Sequence, residues 1–437
     1  MSSKSGMTSQ KTTTKTRTDM ESTQFRFEGR AKQFTYILMA LGVLALVYGI
    51  FTDHSHGHQR WWANILVNGF FYFSIALGGL FFYALQYATE SGWSAVLKRM
   101  FEAIFAYLPI GSVTILIVLL AGQFQLHHLY HWMDSSLYFE YLLPDGSLGH
   151  EAVAGAVDNP NFDSIIANKS AYLSGGFFWA RTLVYLATFL IFAKMFRKWS
   201  LEEDRIGGTE LHFKMYRRGA LFLVFFAVFS STLSWDWIMS IDTHWFSTLF
   251  GWYVFSGMWV SMLIFATVCL TWLRARGSFP QLTDSHMHDM GKWVFAGSML
   301  WSYLFFSQFM LIWYSNIPEE VTYYIARMFT QYRVPFLGMF LMNFAVPFYV
   351  LLARDAKRNP YFIIPVSILI FFGHYLDVYL LVVPGTLHEH AEFGFLEWGT
   401  FLGFLGMFTH VVLRALAKVP MVPVNHPFLE ESKALNY

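Results

Sequence analysis

The chain has 437 residues, of which 55% are hydrophobic, 20% aromatic and 14% charged, with a net charge of +1. Water-soluble domains carry about 25% charged residues, so this composition excludes an ordinary soluble fold, and the near-zero charge offers no electrostatic basis for binding nucleic acid. The one cysteine, Cys269, sits in an apolar run, which excludes a disulfide framework, a C-x-x-C-H haem attachment and a cysteine-ligated iron–sulfur cluster built by this chain alone.

Residues 1–33 are polar, rich in Lys, Thr and Ser, and lack the short apolar core of a signal peptide. They read as a disordered cytoplasmic tail. Ten apolar stretches long enough to span a bilayer follow, at 34–52, 61–88, 101–122, 173–196, 219–240, 246–274, 293–314, 334–352, 361–383 and 395–417. The fold class is therefore all-α, a polytopic membrane protein with ten transmembrane helices. Prolines 335, 347 and 365 fall within or at the edges of these spans, where neighbouring helices can satisfy the freed backbone groups. One long loop, 123–172, separates helices 3 and 4, and a tail closes the chain at 418–437.

Orientation follows from the cations. With the N-terminus inside, the inner segments and helix ends hold 25 Lys and Arg and the outer ones hold four: Arg60, Lys169, Arg327 and Arg333. The remaining cation, Arg181, lies within helix 4. This asymmetry places both termini in the cytoplasm and the 123–172 loop outside. That loop carries His127, His128 and His131 beside Tyr130 and Trp132, and His54, His56 and His58 follow helix 1. Such clusters can bind metal adventitiously, but no carboxylate or thiolate set completes a site, and an interfacial belt is the simpler reading.

An ionisable residue inside a span costs about 2.5–3.5 kcal/mol on insertion scales, so each needs a partner or a purpose. The candidates are Arg181, Asp236, Asp242, His244, His374, Asp377, Glu397 and His410, with Tyr303 and Gln308 as uncharged polar groups. At 1.5 Å per residue, Asp236 lies about 25 Å from the inner end of helix 5, and His374 and Asp377 about 20 and 24 Å from that of helix 9. Arg181 lies roughly 12 Å below the outer end of helix 4 and Glu397 near the outer end of helix 10. All but His410 are thus expected in the outer half, leaving few titratable groups in the inner half. His374 and Asp377, three apart, share a helix face. Two readings stay open: a satisfied polar core with Arg181 paired to Asp236 or Asp377, or an outward-facing proton path through Asp236, Asp242, His244, His374, Asp377 and Glu397, with Arg181. His374 and His410 differ in depth, which disfavours a bis-His haem, and His410 alone reads as structural.

Three segments carry a resemblance. They are Trp301 to Glu320, with Tyr303, Gln308, Tyr314 and Pro318; Ser234 to Phe246, with Asp236, Asp242 and His244; and His374-Tyr375-Leu376-Asp377. Together they resemble the NrfD/polysulfide-reductase type of integral membrane subunit, most nearly the ActF type of alternative complex III, a bacterial quinol:cytochrome c oxidoreductase. The resemblance extends over essentially the whole chain. It implies two four-helix bundles, helices 2–5 and 6–9, flanked by helices 1 and 10. It also implies a bacterial inner membrane location and assembly with an iron–sulfur subunit, haem c subunits and a sister NrfD-like membrane subunit, with a terminal oxidase as a further candidate partner. In that family the sister subunit binds quinol, the substrate of the complex, while the ActF type has no redox centre and contributes a proton path. The matching positions are Asp236, Asp242, His244, His374 and Asp377. A quinone ring could instead find donors in His374 with Tyr303, Tyr375 or Tyr379. The alternatives are a quinol-binding membrane anchor and a purely structural anchor for peripheral redox subunits.

Overall fold

The computed structural model describes residues 24–436 apart from residue 152. The expected polar tail over 1–33 therefore lies largely outside the described residues. Ten helices are long and apolar enough to cross a membrane, making the chain an all-α multi-pass membrane protein. They are α1 (Gly29–Thr52), α2 (Gln59–Ala88), α3 (Ala95–Gln123), α4 (Gly175–Ile206), α5 (Glu210–Trp237), α6 (Phe250–Ala275), α7 (Asp284–Ser315), α8 (Arg333–Leu351), α9 (Pro360–Leu387) and α10 (Phe395–Leu416). Every expected span is present. The largest differences are the starts of α5 and α7, each nine residues early, and the end of α4, ten residues late.

Helices α2–α5 pack as one bundle and α6–α9 as a second, with α2 and α6 meeting at the seam. The outer pair, α1 and α10, run against each other and against α2. Their closest approach is set by small residues: a Cβ on Gly42 would stand 2.4 Å from the Cα of Gly403, so a side chain at either position would push the helices apart. His410 bonds the Thr35 hydroxyl across this contact at 3.0 Å and meets the Phe27 ring edge-on, consistent with its reading as a structural histidine.

Prolines shape two spans. α3 breaks at Ala106–Tyr107 between Lys98–Phe105 and Leu108–Gln123, because Pro109 has no N–H and its ring crowds the carbonyl four residues back. α8 widens into a π-helical segment at Leu341–Ala345 just before Pro347, which removes the same clash by displacing the carbonyl at Asn343.

Two faces cap the bundle. The tail end gathers residue 24 and the C-terminal segment: Gln24 bonds the Ala417 carbonyl, Asn425 the Asp204 carbonyl and Ser432 the Trp93 carbonyl. The loop end holds the segment between α3 and α4, which contains β1 (Tyr141–Leu142), β2 (Leu148–Gly149) and β3 (Val157–Asp158) as a small antiparallel sheet ordered β2-β1-β3. It also holds an amphipathic helix at Pro318–Met328 between α7 and α8, which turns Tyr323, Tyr324 and Arg327 inward.

Candidate functional site

The expected site residues separate into three environments, distinguished by what each carboxylate is bonded to. Asp236, fully buried near the loop end of α5, is held by Arg181 of α4 through Nε at 2.9 Å and Nη2 at 2.8 Å, with the Tyr185 hydroxyl at 3.0 Å. Tyr172 stacks on the guanidinium at 3.9 Å. Of the two pairings left open for Arg181, the structure has the one with Asp236. This is a fully satisfied ion pair, of the kind that costs several kcal/mol to break from one side.

Glu397 is equally occupied. Arg60 reaches it with Nε at 2.8 Å and Nη2 at 2.9 Å, Asn64 adds a bond at 3.1 Å, and the Gly394 N–H at 2.7 Å makes it part of the α10 N-terminal cap. Its bonds fix the start of α10 to α2.

Asp377 differs from both. It is 5% exposed, in the centre of the second bundle. The Tyr253 hydroxyl of α6 donates to Oδ1, and the Trp301 indole N–H of α7 donates to Oδ2 at 3.0 Å. Among the described residues no cation pairs with it. His374, one turn along α9, lies edge-on to Trp301 at 5.4 Å. Its Nδ1 is 3.5 Å from the Asn343 amide in the π-helical segment of α8, and its Nε2 has no partner. Asp377 and His374 share a wall of one small cavity with Ser74 and Ser261; no hydrogen bond joins them directly among the described residues.

Cavities connect this centre to the loop end. A vestibule of about 520 Å³ is lined by His128, His131, Asp163, Asp242, His244 and Arg327, among others. Within it, His244 bonds Asp163 at 2.7 Å and Arg327 reaches Asp242 at 3.3 Å. A Cβ on Gly385 would fall 2.5 Å from Asp242 Oδ1, so only glycine lets α9 pass so close to that carboxylate. Burial alone would raise the Asp163 carboxyl, but the Ile166 amide and His244 hold it below the ordinary range. Burial, with His388 and His128 close by, pushes His131 down. Behind the vestibule a water-sized space of about 10 Å³ is lined by Gln308, Tyr323, Tyr324, Arg327, Tyr253 and Asp377. It shares Tyr323 and Arg327 with the vestibule and Asp377 with the third cavity, also about 10 Å³, which reaches His374.

The four candidate quinone donors are not brought together. Tyr303 is 67% exposed on the outer surface of α7, His374 and Tyr375 are buried, and Tyr379 lines a separate groove of about 400 Å³ with Phe372, Phe393 and Trp398.

The expectation of an inner half poor in titratable groups is corrected. Glu102, the second residue of the expected third span, is fully buried at the tail end and accepts from Arg99 at 2.6 Å and from Arg197 and Ser200. Lys98 meets Glu203 at 2.6 Å beside it. Glu102 escaped notice because it stands within one turn of the helix end, next to the cations that compensate it. The donors to Asp377 were missed for another reason: Tyr253 and Trp301 are two of the 39 Tyr and Trp in the chain, and neither residue type marks its partner. Arg327 was read only as an outer cation. Its i, i+4 relation to Tyr323 in an amphipathic segment, where it stacks on that ring at 3.4 Å, was the available signal.

No family model and no curated protein matches the chain.

Proposed function

We propose that this chain is a membrane subunit of a respiratory quinol:cytochrome c oxidoreductase of the alternative complex III type. In this reading it provides a proton half-channel from outside to Asp377, has no redox centre of its own, and holds partner subunits in place. The cation asymmetry then puts the tail end in the cytoplasm and the loop end outside a bacterial inner membrane. Electrons pass through haem c and iron–sulfur partners, with a sister NrfD-like subunit binding the quinol and a terminal oxidase as a further partner.

The observation that carries this reading is the run of three wall-sharing cavities ending at a buried carboxyl with two donors and no cation. A carboxyl already bound in an ion pair, such as Asp236 or Glu397, has its oxygens occupied by an arginine. Asp377 has no such partner, and water-sized spaces adjoin it on both sides. Asp242 and His244 stand at the entrance, where His244 is 56% exposed at its side chain. Gln308, Tyr323 and Tyr324 supply hydroxyl and amide groups between entrance and centre, Gln308 bonding Tyr324 at 3.1 Å. His374, with a free Nε2, is the next proton acceptor inward.

The test uses the assembled complex in liposomes. Asp377→Asn keeps one of the two aromatic donors bonded and strands no charge, so assembly and quinol affinity are preserved, while protons moved per electron fall. Wild-type stoichiometry in Asp377→Asn and His374→Ala together would leave the anchor reading in its place. The groove at Tyr379, lined by five aromatic residues, favours quinone binding as the second reading; a Tyr379→Phe variant with a raised KM for quinol would support it.

A further inference from the structure

Far from the Asp377 centre, at the tail end, several buried polar atoms without partners lie close together. Glu203, at the end of α4, is fully buried and gives Oε2 to Lys98, but its Oε1 has no partner. His212, in the first turns of α5, is 3% exposed, and neither ring nitrogen is bonded. Its Nδ1 lies 4.0 Å from Glu203 Oε1. His426, in the C-terminal segment, accepts the Phe428 N–H through Nδ1 at 3.2 Å; ligation of a metal by either ring nitrogen would replace that local bond. The Gln86 carbonyl oxygen of α2 is buried without a partner, and Gln86 lines a cavity of about 20 Å³ with His212 and His426. One ligand atom from each of Glu203, His212 and His426 lies within 4.8 Å of the other two.

Leaving several buried polar atoms unbonded costs about 1–3 kcal/mol each, so the arrangement calls for an occupant. A carboxylate oxygen with two imidazole nitrogens is a ligand set for zinc, whose bonds of about 2.0–2.2 Å bring ligand atoms to about 3.4 Å apart. Side-chain rotation of roughly an ångström closes the present spacing to that. We propose that Glu203 Oε1, His212 and His426 bind a divalent transition-metal ion, zinc foremost, with Gln86 or a water in the fourth position. The ion would join α4 and α5 to the C-terminal segment, adding to the Asn425 and Val424 bonds to Asp204 and the Ser432 bond to Trp93. The site is independent of the proton path.

The experiment is zinc binding by the full-length protein in detergent, stripped with chelator, re-equilibrated with zinc alone and assayed by mass spectrometry of the metal. Wild type is expected to take up one zinc per chain, and His212→Ala and His426→Gln each to weaken binding by about 10-fold or more. A variant with His54, His56 and His58 all changed to Asn separates this site from the exposed histidines and should keep its zinc. Cobalt substitution adds a visible spectrum that reports tetrahedral nitrogen and oxygen ligands even where a variant folds poorly. No stoichiometric zinc in wild type, or zinc retained in the His212→Ala/His426→Gln double variant, overturns the proposal.

Discussion

Each of the two bundles buries an aspartate toward its loop end, and the two are bonded in opposite ways. Asp236 in the first bundle has a two-pronged arginine and a tyrosine. Asp377 in the second has a tyrosine and a tryptophan. The same side chain is thus a structural clamp in one place and an uncompensated acid in the other, and the distinguishing feature is the cation. Burial alone, which both share, does not separate a functional carboxyl from a structural one. What its oxygens accept from does.

The contrast can be broken most strongly at the clamp. Asp236→Asn leaves the Arg181 guanidinium without its counter-charge and is expected to lower stability in detergent by about 3–5 kcal/mol, read from chemical or thermal unfolding. Replacing both members, as Arg181→Leu with Asp236→Leu, should recover most of that loss; failure to recover would mean that Arg181 is needed for more than the pair.

Acid provides a second lever on the first bundle. His127, in the loop leaving α3, donates from Nε2 to the Val118 carbonyl at 2.9 Å and accepts from the Leu129 N–H at 3.2 Å. Burial pushes it down to about 4. Because the folded value lies below the unfolded one, its contribution is complete above about pH 6.5 and is lost as pH falls toward 4, by about 1–3 kcal/mol. Unfolding midpoints measured across that window should fall less steeply in His127→Gln, which binds no proton there.

The smallest expected change in stability is at the acid itself. Asp377→Asn can still accept from one aromatic donor and faces no stranded charge, so its stability should stay within about 1 kcal/mol of wild type. A loss as large as that of Asp236→Asn would place Asp377 among the structural carboxylates and remove the contrast.

The spans were legible because a bilayer demands long apolar helices, and each appears where hydropathy marks it. That Arg181 needs a buried carboxylate was legible too, but the choice of Asp236 over Asp377 was not, because depth alone leaves both within reach. The bonding of Asp377 was not, because hydrogen bonds from Tyr253 and Trp301 depend on how α6 and α7 are rotated, and apolar runs do not encode rotation. The helix at Pro318–Met328 has 11 residues, too few and too polar to register as a span. The π-helical turn at Leu341–Ala345 follows from Pro347, yet the proline by itself did not reveal that Asn343 would face His374.

The pairing of α1 with α10 bears on how the molecule is made. The earliest of the ten described spans has the latest as its chief neighbour, and the groove around Gly42 is filled only when Gly403 arrives. Until then α1 must remain in lipid with that small-residue seam open, so this contact closes only after α10 is made. A chain truncated before Phe395 would insert nine helices and leave the first of them unclasped, exposed to whatever protease or foreign helix reaches it first.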